Sequence, residues 1–237
     1  MTQPITALLF DKDGTLFHFG ETWNGWAAMM IDRFSGGNAI KRAALAEVTG
    51  YDLDSGQFDP HSPVIAGTNK ETAECLLPVL TEYNLSEIEA LLNASAVDVP
   101  LSPTIPLAPF FSEMKTKGYA IGLMTNDTEE AARAHLNVAG IHDMFDFIAG
   151  FDSGFGAKPS PAPLLAFADA MGHAPETILM VGDSTHDLQA GRAAGMRTAG
   201  VLTGPARRDV LSPFADVVLP DIGHLPLWLS GGSPKND

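Results

Sequence analysis

Short apolar runs alternate with helix-like stretches along most of this 237-residue chain, and that alternation most constrains its fold. Four runs stop at a turn or a polar residue: "ITALLF" before Asp11, "AIGLMT" before Asn126, "FIAG" before Phe151 and "ILMVG" before Asp183. Two more, "TAGVL" and "DVVL", follow. Between them, segments such as residues 128–141 carry apolar side chains at helical spacing. Apolar strands alternating with helices predict an α/β fold with a doubly wound, Rossmann-like parallel sheet.

The residues that end three of these runs indicate where a ligand would bind. In doubly wound sheets, ligands bind beyond the carboxyl ends of the strands. Asp11, Asn126 and Asp183 each directly follow the last residue of one of these apolar runs. Because an acidic side chain is costly inside a buried strand, its position at the strand end calls for a functional explanation.

Residues 18–102 interrupt this alternation. They contain four helix-like stretches separated by glycines, prolines and the polar segment "DLDSGQFDPHSP", and we predict no strand among them. The proline-rich segment "VDVPLSPTIPLAP" marks the return to the first pattern. The sequence therefore predicts an α/β core formed by residues 1–17 and 103–237, with a helical cap domain inserted at 18–102.

Composition narrows the classes of function. The formal net charge of −15 argues against non-specific binding to nucleic acid or to anionic membranes. The single cysteine excludes an intrachain disulfide and fits a reducing compartment. The chain has no apolar run of about 18 residues, and its first residues lack a basic leader. We therefore expect a cytoplasmic protein without a membrane partner, and leave open whether it is a monomer or a homodimer.

Four separated motifs carry the chemistry. They are Asp11-x-Asp13-Gly14-Thr15, Thr125-Asn126, Lys158 in "GAKPSP", and "GDSTHD" with Asp183 and Asp187. In this order and at the ends of apolar runs, they resemble the haloacid dehalogenase-like (HAD) superfamily of phosphohydrolases. "FDKDGTLF", "MTNDTEEAARAHL" and "KPSPAPLLAFADAMG" are similar to its phosphoglycolate-phosphatase group, whose members carry a helical cap after the first motif.

The first motif supplies the reacting groups. Hydrolysis of an anionic phosphate monoester needs a nucleophile, a proton donor and neutralised charge. A carboxylate can act as nucleophile and form an acyl phosphate, and we assign this role to Asp11. Asp13 would protonate the leaving alkoxide and then deprotonate the attacking water. The resemblance further implies that the backbone carbonyl of Asp13 is a metal ligand.

The other motifs supply charge neutralisation. A hard divalent cation would let the anionic enzyme and substrate approach, and Mg²⁺ is the usual choice beside phosphate. Asp11 and Asp183 are the expected direct ligands, and Asp187 would act through water or by orienting its neighbours. Phosphate binding is assigned to the Lys158 ammonium, the Thr125 hydroxyl and the backbone N–H of Asn126 at the start of the next helix.

Several of these residues have a plainer structural interpretation. Thr125-Asn126 can be a helix cap, and Asp187 can stabilise the first turn of its helix. Trp23 and Trp26, three residues apart, are more typical of cap core than of substrate contacts. In the cap, "AGTNKET" is the best candidate for a loop that faces the site, where Gly67, Thr68, Asn69 and Lys70 would bind the leaving group.

The sequence thus predicts a Mg²⁺-dependent phosphatase that acts on a small phosphorylated metabolite such as phosphoglycolate or a sugar phosphate. The cap would close over the substrate and exclude water. A phosphomutase of the β-phosphoglucomutase type, which uses the same aspartyl phosphate, is the alternative. A non-catalytic phosphate-binding protein is a third class, disfavoured because all four central residues (Asp11, Asp13, Lys158 and Asp183) are present.

Overall fold

The predicted apolar runs form the strands of one central sheet. A computed structural model describes residues 3–59 and 61–232, and within them the strands are β1 (Ala7–Phe10), β2 (Tyr51–Asp52), β3 (Gln57–Phe58), β4 (Ala120–Met124), β5 (Phe147–Ala149), β6 (Ile178–Gly182), β7 (Arg197–Val201) and β8 (Val217–Leu219). All except β2 and β3 form a parallel sheet in the order β5-β4-β1-β6-β7-β8. This confirms the Rossmann-like α/β fold.

Strand β1 occupies the middle of the sheet, between β4 and β6. Phe10 is in register with Leu123 of β4 and with Val181 of β6. The chain positions that follow these three strands are therefore neighbours at one edge of the sheet. Asp11, Thr125 and Asp183 come together there, which is the reason that motifs distant in sequence form one site.

Helices cover both faces of the sheet. Those after the cap are α5 (Leu107–Thr116), α6 (Glu129–Val138), α7 (Ala162–Met171), α8 (Thr185–Ala193), α9 (Arg208–Leu211) and α10 (Leu225–Leu229). Alternate side chains of β1 point to opposite faces. Leu8 and Phe10 pack in a cluster with residues of α5 and α6, whereas Ala7 and Leu9 pack in another with residues of α7 and α8. Each face of the sheet thus has its own apolar layer.

Residues 18–102, which we call the cap segment, form a separate helical layer. Its helices are α1 (Phe19–Ser35), α2 (Ala39–Thr49), α3 (Asn69–Leu76) and α4 (Leu85–Ala96). They enclose an apolar cluster of their own that includes Met30, Phe34, Leu45 and Leu92. Asn38, Thr68 and Asn84 cap the amino ends of α2, α3 and α4 through their side chains. The predicted helical character of this segment is confirmed.

The prediction that the cap segment has no strand is wrong. Strands β2 and β3 form a small antiparallel hairpin inside "YDLDSGQF". Its turn is stabilised by the Asp52 carboxylate, which accepts hydrogen bonds from the backbone N–H groups of Asp54 and Ser55. Gly56, at φ +70°, completes the turn in a conformation that favours glycine. Two-residue strands are too short to leave an alternating pattern in the sequence, so the turn residues are their main trace.

None of the helices in the described part of the chain is long and apolar enough to cross a membrane.

Candidate active site

A buried lysine ties the end of β1 to the start of α8. The Lys158 Nζ lies 2.6 Å from Asp11 Oδ1 and 2.6 Å from Asp187 Oδ1, and it also donates to the backbone carbonyl of Met124 at 2.8 Å. Burial alone would lower the pKa of Lys158, but the two carboxylates outweigh it and hold that pKa above its ordinary value. The ammonium is therefore charged and fixed beside Asp11.

Three buried carboxylates converge next to this lysine. Asp11, Asp183 and Asp187 each place one oxygen within 4.8 Å of the others. Burial, with a further contribution from Asp187, raises the pKa of Asp11 to about 7 in spite of Lys158. Burial and the charges of Asp11 and Asp187 raise the pKa of Asp183 well above its usual range. Three carboxylates beside one ammonium leave an excess of two negative charges on hard oxygen donors, which fits a divalent cation such as Mg²⁺.

Two glycines make room for the Asp183 carboxylate. A Cβ atom on Gly14 or on Gly204 would overlap that carboxylate. Gly14 also has φ +81°, a conformation that residues with a side chain rarely adopt. The glycine of the first motif thus serves both the turn after β1 and the close approach of an acid from β6.

Asp187 stabilises the first turn of α8, which is one of the roles considered for it from the sequence. Its Oδ2 accepts hydrogen bonds from the backbone N–H and the hydroxyl of Ser184, the N-cap of α8, which forms a capping box. Its Oδ1 contacts Lys158. The capping box therefore fixes the orientation in which the Asp187 carboxylate faces those of Asp11 and Asp183.

Asp13 stands at the same edge of the sheet and lines the cleft above it. Its Oδ2 lies 2.9 Å from the Nζ of Lys12, whereas its Oδ1 is buried without a hydrogen-bond partner among the described residues. One carboxylate oxygen is thus held by a cation, and the other has no partner in the described part of the chain. This is a suitable arrangement for a group that must pass a proton to and from bound substrate.

Lys12 is a site residue that sequence reasoning missed. Its side chain is fully buried, and its Nζ lies 2.9 Å from Asp127 Oδ2 and 2.7 Å from His135 Nδ1, in addition to its contact with Asp13. An ammonium has three N–H groups and no acceptor, so His135 Nδ1 must accept. His135 Nε2 then carries the proton and donates to the backbone carbonyl of Ala96 in the cap segment.

The second motif acts mainly through side chains. The amide of Asn126 donates to the backbone carbonyls of Lys158 and Ala66, and its oxygen accepts from the backbone N–H of Lys158. It therefore positions the lysine loop and attaches the cap segment to the core. The interpretation of Thr125-Asn126 as a helix cap, and the placement of Asn126 at the start of a helix, are wrong, because the N-cap of α6 is Thr128.

A cleft of about 730 Å³, including its open mouth, lies between these residues and the cap segment. Trp23 and Trp26 line it and also pack in the apolar interior of the cap segment, as their interpretation as core residues predicts. Gly67 and Asn69 line it as well. The other two residues of the predicted loop do not reach it. Thr68 is the buried N-cap of α3, and Lys70 is exposed on that helix.

Known proteins with similar sequences identify the family of this chain. The sequence model of a hydrolase family, the haloacid dehalogenase-like hydrolases, matches residues 5–195. The chain is 37% identical over 206 residues to a phosphoglycolate phosphatase of Aquifex aeolicus, covering 84% of this chain and 86% of that protein. It is 33% identical over 229 residues to the pyrophosphatase PpaX of Bacillus anthracis, covering 95% and 97% of the two chains.

Solved structures show the same fold at lower sequence identity. A haloacid dehalogenase-like hydrolase of Bacteroides fragilis superposes with a TM-score of 0.70 at 22% identity, covering 93% of this chain and 99% of that one. The family match covers most of the chain and includes all four motifs. The protein therefore belongs to the haloacid dehalogenase-like hydrolase family.

Proposed function

We propose that this protein is a Mg²⁺-dependent phosphatase that hydrolyses a small phosphate monoester through an aspartyl phosphate on Asp11. The observation that carries the proposal is the pair of acids at the end of β1. Asp11 is held by Lys158 at 2.6 Å, and Asp13 keeps one buried oxygen free of any partner in the described structure. The relatives named as a phosphoglycolate phosphatase and a pyrophosphatase support phosphate chemistry at such a site.

In the first step, a carboxylate oxygen of Asp11 attacks phosphorus and forms the O–P bond of an acyl phosphate. The P–O bond to the leaving group breaks, and Asp13 gives its proton to the departing alkoxide. Lys158 stays beside Asp11 and offsets negative charge that builds up on the phosphoryl oxygens. The hydroxyl of Thr125 lies at the same edge of the sheet and serves the phosphoryl group.

In the second step, water attacks the phosphorus of the acyl phosphate. Asp13, now a carboxylate, accepts a proton from this water, and the bond between phosphorus and the Asp11 oxygen breaks. Inorganic phosphate leaves, Asp11 is a carboxylate again, and Asp13 is protonated for the next cycle. The same residue therefore serves as acid and then as base.

Asp11, Asp183 and the backbone carbonyl of Asp13 would hold the metal ion, with Asp187 orienting this set. When bound, Mg²⁺ supplies the positive charge that lets a phosphate dianion approach several carboxylates. The substrate would be a small phosphorylated metabolite, and this activity involves neither nucleic acid nor a membrane.

The proposal is tested by measuring phosphate release from a panel of phosphate monoesters, with Mg²⁺ or with a chelator. We expect release that needs Mg²⁺ and is lost in Asp11→Asn. As a matched control, Asp143→Asn changes a fully exposed acid and should leave release unchanged. No release from any ester with Mg²⁺ present, or full activity in Asp11→Asn, would refute the proposal. A long-lived phosphoenzyme with isomerisation of a sugar phosphate would instead establish the mutase.

A further inference from the structure

The wall of the cleft that faces the acids is formed by aromatic and aliphatic side chains of the cap segment. They are Phe19, Trp23, Trp26, Phe58, Val64 and Ile65. We propose that the substrate carries an uncharged, apolar organic group, aromatic or short alkyl, which lies against this wall. This inference rests on the proposed phosphatase function and names the class of substrate for the same site.

The wall is held in place by its own contacts. The Trp23 and Trp26 rings meet edge to face with centroids 5.2 Å apart, and the Phe19 and Phe58 rings lie 6.0 Å apart. The indole N–H of Trp26 donates to the Ser95 hydroxyl at 2.9 Å. Since that polar group already has a partner in α4, Trp26 offers the cleft mainly carbon surface.

The cleft has little means of binding a second anionic group. Among its described lining residues, Lys158 is the only lysine or arginine, and its contacts are with Asp11, Asp187 and the Met124 carbonyl. Five lining residues are acidic: Asp11, Asp13, Asp127, Asp183 and Asp187. A carboxylate or a second phosphate on the leaving group would lose water among these acids without gaining a counter-ion.

Two polar side chains on the cap side of the cleft already donate hydrogen bonds within the protein. Asn69 donates to the Asn93 side chain at 2.9 Å, and the Thr72 hydroxyl donates to the Thr68 carbonyl. A sugar with several hydroxyl groups would leave many of them unpaired on binding, which costs affinity. An apolar group makes no such demand, and its burial against aromatic rings is favourable.

The inference differs from what the names of the relatives suggest. Phosphoglycolate carries a carboxylate on its organic part, and pyrophosphate has phosphate itself as the leaving group. Lys70, the residue that could bind such a carboxylate, is exposed and lies outside the cleft lining. Lys12 is buried beneath Asp13 with three acceptors already around it.

The test compares kcat/KM, with saturating Mg²⁺, for 2-phenylethyl phosphate, ethyl phosphate and 2-phosphoglycolate. The first two leaving groups are primary alkoxides of similar basicity, so a difference between them reports binding of the phenyl ring. We expect the phenylethyl ester to exceed the ethyl ester by about tenfold or more, from burial of one ring. The phosphoglycolate value should be the lowest of the three.

A phosphoglycolate value above the other two, or equal values for the phenylethyl and ethyl esters, would overturn the inference while leaving the phosphatase proposal intact. Release from none of the three esters, nor from the wider panel, would overturn the phosphatase proposal and this inference with it. The two failures are therefore distinguishable.

Variants of the wall provide a second measurement. Phe58→Ala should bring the ratio of the phenylethyl to the ethyl value close to one, and an unchanged ratio in the folded variant would count against the wall. Met29→Ala, which alters an exposed apolar residue of α1 outside the cleft lining, should keep the wild-type ratio. Ile65→Lys, at a half-buried lining position, should raise the ratio of phosphoglycolate to ethyl phosphate severalfold.

Discussion

Replacing Lys12 by methionine should lower the free energy of unfolding by about 3–5 kcal/mol. The perturbation keeps most of the unbranched hydrocarbon of the side chain and removes its charge. Lys12 is fully buried, and its Nζ lies 2.9 Å from a carboxylate oxygen of both Asp13 and Asp127. Burial would lower the pKa of Lys12, but these carboxylates outweigh it and raise that pKa, so the wild-type side chain is charged.

The size of the effect follows from what the substitution leaves behind. Asp127 is buried, and without Lys12 its Oδ2 would lack a cation, while His135 Nδ1 would lose its donor at 2.7 Å. Removing one member of a buried ion pair is costly because the remaining charge stays buried without compensation. Since total stability is about 5–15 kcal/mol for a domain, the loss would take up a large part of it.

Urea unfolding of metal-free protein, followed by circular dichroism, measures the effect. Lys117→Met is the matched control, because Lys117 forms an exposed pair with Glu113 whose loss should cost at most about 1 kcal/mol. The double variant Lys12→Met/Asp127→Asn should recover part of the lost stability, since it removes the uncompensated charge. If Lys12→Met and Lys117→Met shift the midpoint equally, the buried network is not the stabilising unit described here.

Three other measurements follow from the site. Gly204→Ala would place a Cβ against the Asp183 carboxylate, so the Mg²⁺ concentration for half-maximal phosphate release should rise about 10–100-fold. Asn126→Ala removes hydrogen bonds to the backbone of Lys158 and should cost about 1–3 kcal/mol in urea unfolding and lower kcat. Without a divalent cation, stability should fall as pH rises from about 4 to 7. Burial raises the pKa of Asp11 to about 7, so over this range the folded chain keeps a proton that the unfolded chain has released. Unfolding curves at several pH values should show this fall, and Mg²⁺ should reverse it.

The sheet and the acidic cluster could be predicted because their signals are local. Each central strand is a run of buried apolar residues, and each run ends where a polar motif begins. Parallel pairing of β1 with β4 and β6 then brings the motifs to one edge. Strand order and the position of each motif are enough to place Asp11 and Asp183 together, whereas Lys158 lies in a loop that the Asn126 side chain positions.

The network around Lys12 could not be predicted in the same way. Within "FDKDGT" a lysine between two acids has the appearance of a solvent-exposed residue, yet its partners Asp127 and His135 are 115 and 123 residues away. Its burial is set by the packing of the cap segment, where Trp23 lies over the ammonium at 5.6 Å from the ring centroid. A single sequence has no local feature that reports such a contact.

The cap loop shows a second limit of sequence reasoning. Polarity and position indicated Gly67, Thr68, Asn69 and Lys70 equally, but the start of α3 decides which of them face the cleft. Once Thr68 forms the capping box with Glu71, Lys70 points to the exposed side of that helix, and Asn69 stays at the cleft. The rotation of a helix about its axis depends on its cap and its packing, which a polar segment alone does not specify.

The charges around the cleft link the metal requirement to the choice of substrate. Five carboxylates line it, and the two lysines that offset them, Lys12 and Lys158, each have acidic partners already. A phosphate dianion would add further negative charge, so the proposed divalent cation would serve the phosphoryl end of the substrate alone. No positive charge then remains for the organic end. In the proposed complex that end would lie against Trp26 and Phe58, and an uncharged apolar group is the one that fits both this aromatic surface and the surrounding acids.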